Sequence, residues 1–239
     1  MRTGASNGST RFVSFSGIDG AGKSTQIKAL RRRLEQAGLR VRVITFWDDV
    51  ACLTGMRETA GHTLFKGDKG IGTPEAPIHR RDKNVQSRAM TVVRLCLYLL
   101  DALSLRFTVR RALRSGSDFV ICDRYAYDEL VNLTLHNRLI RMYARFVMRL
   151  VPRPDVSYFL DADPIQACSR KPEYPLDFLY KCRESYLTLS DLVGGITIIA
   201  PMPVHDVEQQ VMKLIAIKMG PAPASREELL REPDPGAAA

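Results

Sequence analysis

No two cysteines in this chain are spaced C-x-x-C, and only four histidines accompany Cys52, Cys96, Cys122, Cys168 and Cys182. That excludes the usual zinc arrangements. Met1 to Thr10 is rich in Gly, Ser, Thr and Asn and lacks the charged-then-apolar order of a secretory signal. Five cysteines without such a signal read as free thiols in a reducing cytoplasm. No long hydrophobic run is present. The longest, Val92 to Leu105, is broken by Arg94 and Asp101, which argues against a membrane span. The formal charge is +9, yet no helix-turn-helix, zinc-finger or RNA-recognition signature accompanies it. No nucleic acid polymer is therefore expected as a partner. Clusters such as Arg31-Arg32-Arg33 and Arg110-Arg111 lie in helix-like stretches and read as solvated faces. Small polyanions remain as partners. No internal repeat is visible.

What is present fits one large domain. The chain has 239 residues, 45% of them hydrophobic. Arg11–Ser16, Leu39–Phe46, Phe119–Cys122, Asp155–Leu160 and Ile196–Ala200 read as strands. Lys23–Ala37, Asn84–Leu113, Asp128–Leu150 in one or two pieces, Phe178–Leu192 and Val204–Met219 read as helices, with apolar residues on one face. Strands alternating with helices predict an α/β fold with a parallel sheet covered on both faces. Residues 1–10 are expected to form a flexible leader, 11–219 the domain and 220–239 a loose tail. Gly67 to Pro77, rich in Gly and Pro, reads as a mobile loop.

The strongest chemical signal is Gly17-Ile18-Asp19-Gly20-Ala21-Gly22-Lys23-Ser24-Thr25, which fits G-x-x-x-x-G-K-[ST] between a strand and a helix. Glycines allow a tight turn whose N–H groups point inward at phosphate oxygens, and the helix start adds its dipole. Asp19, Gly20, Ala21, Gly22, Lys23, Ser24 and Thr25 are thus the expected nucleotide-binding residues. Lys23 is to meet the β- and γ-phosphates of ATP and Ser24 to hold Mg²⁺. Asp123-Arg124 follows a fully apolar strand. A strand-end carboxylate there suits a Mg²⁺-bound water, and an adjacent Arg suits a phosphate. Ser169-Arg170-Lys171, after the fourth strand, carries cations of the kind that stabilise a transferring phosphoryl group.

Together these segments resemble the thymidylate kinases, a family of nucleoside monophosphate kinases. FSGIDGAGKSTQ is similar to that family's phosphate loop, VICDRY to its second signature, and DVSYFLDADP with Arg170 to its fourth strand and LID. Tyr186 also falls where the family has a tyrosine. The resemblance implies a three-layer P-loop fold with a five-stranded parallel sheet ordered 2-3-1-4-5. It further implies ATP and Mg²⁺, a small phosphate acceptor, nucleotide biosynthesis in the cytoplasm, and often a homodimer. Ala21 stands where some members carry an arginine, so Arg170 of a short LID, about 169–177, is to supply the catalytic cation.

The acceptor side departs from the family. Its Arg-Glu-Pro-Gly-Gly run is replaced by Thr45-Phe46-Trp47-Asp48-Asp49, which opens an acceptor-side insertion over about 47–84. Asp48 is a candidate base or Mg²⁺ ligand. Arg57-Glu58 lies too far along the chain to stand in for that run. The family's stacking Phe and its Arg one turn later fall on Leu97 and Asp101, and its base-meeting Tyr and Gln on Asn132 and Leu133. Arg94, Tyr98 and Asp101 share one helix face and, with Asp48 and Arg124, are the candidate acceptor-binding residues. The acceptor remains open among dTMP, another nucleotide, and a nucleoside with Asp48 as base. A nucleotide-binding regulator without transfer activity is the further alternative.

Overall fold

Five short strands, rich in β-branched and aromatic residues, make the centre of the protein. The computed structural model describes residues 10–52 and 88–219. Residues 1–9 of the expected leader, most of the insertion with Arg57-Glu58 and Gly67–Pro77, and the tail lie outside the described residues.

The strands are β1 (Arg11–Ser16), β2 (Val41–Thr45), β3 (Phe119–Asp123), β4 (Val156–Leu160) and β5 (Ile196–Ile199). They pair in parallel in the order β2-β3-β1-β4-β5, as the resemblance implies. Alternate side chains along each strand enter two different cores, because strand side chains have a period of two. Phe12, Val120, Cys122 and Phe159 point one way, and Val13, Phe15, Ile121 and Tyr158 the other.

The helices are α1 (Lys23–Gln36), α2 (Arg88–Leu113), α3 (Ala126–Leu130), α4 (Arg138–Leu150), α5 (Pro164–Arg170), α6 (Leu176–Val193) and α7 (Val204–Met219). Residues of α1 and α7 fill one core, with Ile27, Leu30, Leu34, Val211 and Ile215. Residues of α2, α3, α4 and α6 fill the other. The stretch expected as a helix over Asp128–Leu150 divides in two, α3 and α4, with Asn137 capping α4 through the backbone N–H of Leu139. Helix α5 was not expected. Asp163 caps it through the N–H of Ile165, and Pro164 is its first residue, a common pairing at helix starts. Phe46–Val50 forms a π-helical turn after β2, and its Asp49 reaches back to accept from the Thr45 N–H at 2.7 Å.

The carboxyl ends of parallel strands at the point where the strand order reverses form the usual ligand crevice of such sheets. Here β1 is the strand from which the chain goes both ways. The phosphate loop leaves β1, the π-helical turn leaves β2, Asp123-Arg124 ends β3 and α5 follows β4, all at this one edge. Arg183 of α6 clamps Asp161, just past β4, through two hydrogen bonds of 2.6 and 2.7 Å, fixing α6 against the same edge.

Candidate active site

The phosphate loop is a tight turn, as its glycines predict. Gly20 and Gly22 have φ of 85° and 88°, a region that side chains rarely enter. At Gly20 a Cβ would come within 2.2 Å of the Ala167 carbonyl oxygen on α5, so the loop and α5 are in backbone contact. Helix α1 begins at Lys23 with no side-chain cap and no acidic residue in its first turn. Its leading N–H groups are left for an anion. Lys23 is only 6% exposed and folds back over the loop, donating to the carbonyls of Gly17 (2.7 Å) and Ile18 (2.9 Å). Burial pushes its ammonium down to about 8; Arg124 adds to the fall, and Asp19, Asp128 and Asp123 oppose it. Lys23 is therefore within electrostatic reach of all four groups.

Asp123 ends β3, in register with Phe15 of β1 and Thr45 of β2. Burial raises its carboxyl pKa against the pull of Arg124 and Lys23. Arg124 has φ 70°, the sole non-glycine among the described residues with positive φ. Its N–H donates to the Phe15 carbonyl at 2.9 Å and its guanidinium to Asp19. Burial works against that charge, but Asp19 and Asp128 more than offset it and hold the guanidinium above its ordinary value.

The end of α5 brings two cations to the loop. Arg170 donates from Nη1 to the Gly20 carbonyl at 3.1 Å, so it lies against the phosphate loop. Lys171 Nζ is 3.8 Å from Asp19 and 3.1 Å from the buried Glu173. A narrow cleft opens beside this array, with Asp19, Arg124, Asp128, Asn132, Tyr174 and Tyr186 among its lining.

A second, smaller cavity lies on the other side of α3, bounded by Phe46, Tyr98, Asp101 and Glu129 among others. Asp101 and Glu129 are 1% and 4% exposed. Asp101 accepts from the Cys52 N–H at 2.7 Å. Arg94, Tyr98 and Asp101 are all buried, as one helix face turned inward requires. The resemblance put Leu97 where the family has its stacking Phe. In the structure Leu97 packs against the core from a half-buried position, and the aromatics bordering the cavity are Phe46 and Tyr98. Asp48 is exposed on the π-helical turn; neither Asp48 nor Arg94 borders these two cavities. Leu133 is buried in the core, whereas Asn132 lines the cleft.

No family model matches the chain. Over 189 residues it is 30% identical to a thymidylate kinase of Bifidobacterium longum, covering 75% of this chain and 83% of that one. The chain belongs to the thymidylate kinase family. A probable thymidylate kinase of Methanosphaera stadtmanae is 28% identical over 214 residues, or 87% of this chain and 97% of the relative. Among solved structures, a thymidylate kinase from Candida albicans matches with a TM-score of 0.59 at 16% identity, covering 88% of this chain and 92% of that one. That last likeness is one of fold.

Within this thymidylate kinase fold, three residues beside the site escaped the sequence reading: Asp128, Glu129 and Glu173. Asp128 and Glu129 looked like ordinary acids in the first turn of a helix. Glu173 looked like part of a solvated loop. The Asp163-Pro164 pair was a usable signal for α5, and with α5 drawn, Arg170 and Lys171 fall at its end.

Proposed function

We propose that this protein transfers the γ-phosphoryl group of ATP to a nucleoside monophosphate such as dTMP. The observation that carries the proposal is the convergence of Lys23, Arg124, Asp19 and Arg170 at the mouth of an uncapped helix α1. Membership of the thymidylate kinase family names the reaction.

The residues fit the nucleotide and its metal. The loop's left-handed glycines and the bare start of α1 suit a polyphosphate. An exposed hydroxyl on Ser24 and a strand-end carboxylate on Asp123 suit Mg²⁺, which keeps several waters and takes few protein ligands. When bound, Mg²⁺ neutralises charge on the β- and γ-oxygens. Lys23 exchanges its loop carbonyls for phosphate oxygens. Arg124, held beside the cleft, meets the acceptor phosphate, and the acceptor extends from there along the cleft. Arg170 and Lys171 stabilise charge on the transferring group. Phosphoryl transfer asks mainly for position and charge, and these side chains are already gathered. Asp48, exposed and away from both cavities, is left without a part in this scheme.

Two further readings accompany the reaction. Val93, Cys96, Leu100, Leu103 and Phe107 follow a 3-4 spacing along the exposed face of α2, with Phe107 69% exposed. Such a stripe is the seam of a helix pair, and we assign it to a homodimer. No helix among the described residues is long and apolar enough to cross a membrane, and all five cysteines are free thiols, which suits the cytoplasm.

An ATP-consumption assay that compares monophosphates with their nucleosides tests the proposal. Turnover with dTMP and none with thymidine is expected. Turnover with the nucleoside alone, or with no acceptor, would replace it with the nucleoside kinase or the regulator.

A further inference from the structure

Asp128 is buried at the centre of the site and has no part in the scheme above. Its Oδ2 accepts from the Ser16 hydroxyl at 2.6 Å and from the Tyr125 N–H at 2.9 Å. Its Oδ1 accepts from the Tyr186 hydroxyl at 2.7 Å, and Arg124 Nη1 lies 3.6 Å from the same oxygen. The Tyr186 hydroxyl is also 3.3 Å from the carbonyl of Gly17, the first residue of the phosphate loop. These partners come from the end of β1, the turn after β3 and α6.

A cap for α3 needs only a short oxygen-bearing side chain, and serine does that without charge. The carboxylate here is 6% exposed, and a charge at that depth is costly unless it is paired. Among the described residues its ion-pair partner is Arg124. Arg124 in turn stands in a left-handed backbone conformation that non-glycine residues seldom adopt. Something must hold it there. Asp19 holds the guanidinium from the phosphate-loop side, and Asp128 meets it from α3.

We propose that Asp128, oriented by Tyr186, is a positioning residue that fixes Arg124 for the acceptor phosphate and ties its position to the first residue of the phosphate loop. The inference rests on the reading of Arg124 as the acceptor cation. Asp128 does not touch the reacting atoms. It aligns the acceptor cation with the donor loop through a chain of contacts from Arg124 through Asp128 and Tyr186 to Gly17. Tyr186 is itself held flat against Phe159 of β4, with ring centroids 4.7 Å apart, so the anchor is rigid.

The test is steady-state kinetics of the full-length protein with ATP, Mg²⁺ and dTMP for Asp128→Asn, Tyr186→Phe, Arg124→Lys and the double variant Asp128→Asn/Arg124→Lys. An amide keeps one acceptor for Ser16 and the Tyr125 N–H but turns N–H groups toward Tyr186 and Arg124. Asp128→Asn is expected to raise the KM for dTMP about tenfold with the KM for ATP changed less than about twofold. Tyr186→Phe is expected to do the same more weakly, and stands in as the test if Asp128→Asn fails to fold. Asp128→Asn is expected to add little in the Arg124→Lys background, because it acts through that guanidinium. Equal rises in both KM values, an unchanged KM for dTMP, or additive losses in the double variant would overturn the inference. If Arg124→Lys alone leaves the KM for dTMP unchanged, the reading of Arg124 fails first and takes this inference with it.

Discussion

The guanidinium of Arg170 sits 3.1 Å from the Gly20 carbonyl, so the last residue of α5 rests on the phosphate loop with no long lid between them. The shortened segment after β4 therefore keeps its cation at the donor site. Arg170→Met is expected to lower kcat by about a hundredfold, the size seen when one donor to a developing charge is removed, with a small change in the KM for ATP. Lys171→Met is expected to cost less. Initial rates at saturating ATP decide the point, and an unaltered kcat would remove Arg170 from the chemistry.

Gly20 is fixed by its neighbour as much as by its own φ. A methyl group there meets the Ala167 carbonyl oxygen at 2.2 Å, and that oxygen belongs to backbone. Gly20→Ala is expected to destabilise the protein by about 1–3 kcal/mol and to weaken ATP binding. Thermal unfolding and nucleotide titration read the two effects. Trimming Ala167 to Gly should rescue neither, since the obstructing atom stays in place.

The buried Lys23 gives a pH signature in metal-free, ligand-free protein. Its ammonium titrates near 8 when folded, against 10.5 unfolded, chiefly because burial penalises the charge. Between those values the unfolded chain binds more protons than the folded one, so folding stability from this group rises as the pH climbs from about 8 toward 10.5. Below pH 8 both states are charged and the cost of burying the ammonium is fully present. Denaturant titrations of wild type and Lys23→Met at pH 7 and 10 should show a smaller pH 7-to-10 gain in the variant. Equal gains would mean that Lys23 is not buried in the unliganded protein.

The apolar stripe of α2 predicts its own disruption. Leu103→Asp is expected to convert a dimer of the wild-type chain into a monomer in sedimentation velocity, with the far-ultraviolet spectrum unchanged. A wild-type chain that sediments as a monomer would assign the stripe to some other cover.

How much of this was legible beforehand depends on the range of each signal. The phosphate loop is a contiguous motif whose chemistry is local, so Gly17 to Thr25 could be read in full. Strands β1, β3 and β4 are short β-branched and aromatic runs buried on both faces, as a parallel sheet demands, and their bounds came out within a residue. The acceptor face of α2 was legible only in part: Arg94, Tyr98 and Asp101 read as one face and all three are buried, but which of them borders the second cavity is settled by what packs on both sides of the helix. Asp128 was invisible for a different reason. Its four partners are Ser16, Tyr125, Arg124 and Tyr186, and only the fold brings residues 16 and 186 to the same carboxylate. Sequence spacing shows an acid three residues into a helix, which is also what an ordinary cap looks like.

The central claim is that the array around Lys23 and Arg124 moves a phosphoryl group from ATP to a nucleoside monophosphate. Mass spectrometry of the small molecules after incubation with ATP, Mg²⁺ and dTMP tests it most directly, with Lys23→Ala as the control. The prediction is dTDP and ADP formed in equal amounts by the wild type and neither by the variant. ADP accumulating without a phosphorylated acceptor, or equal product from Lys23→Ala, would contradict it.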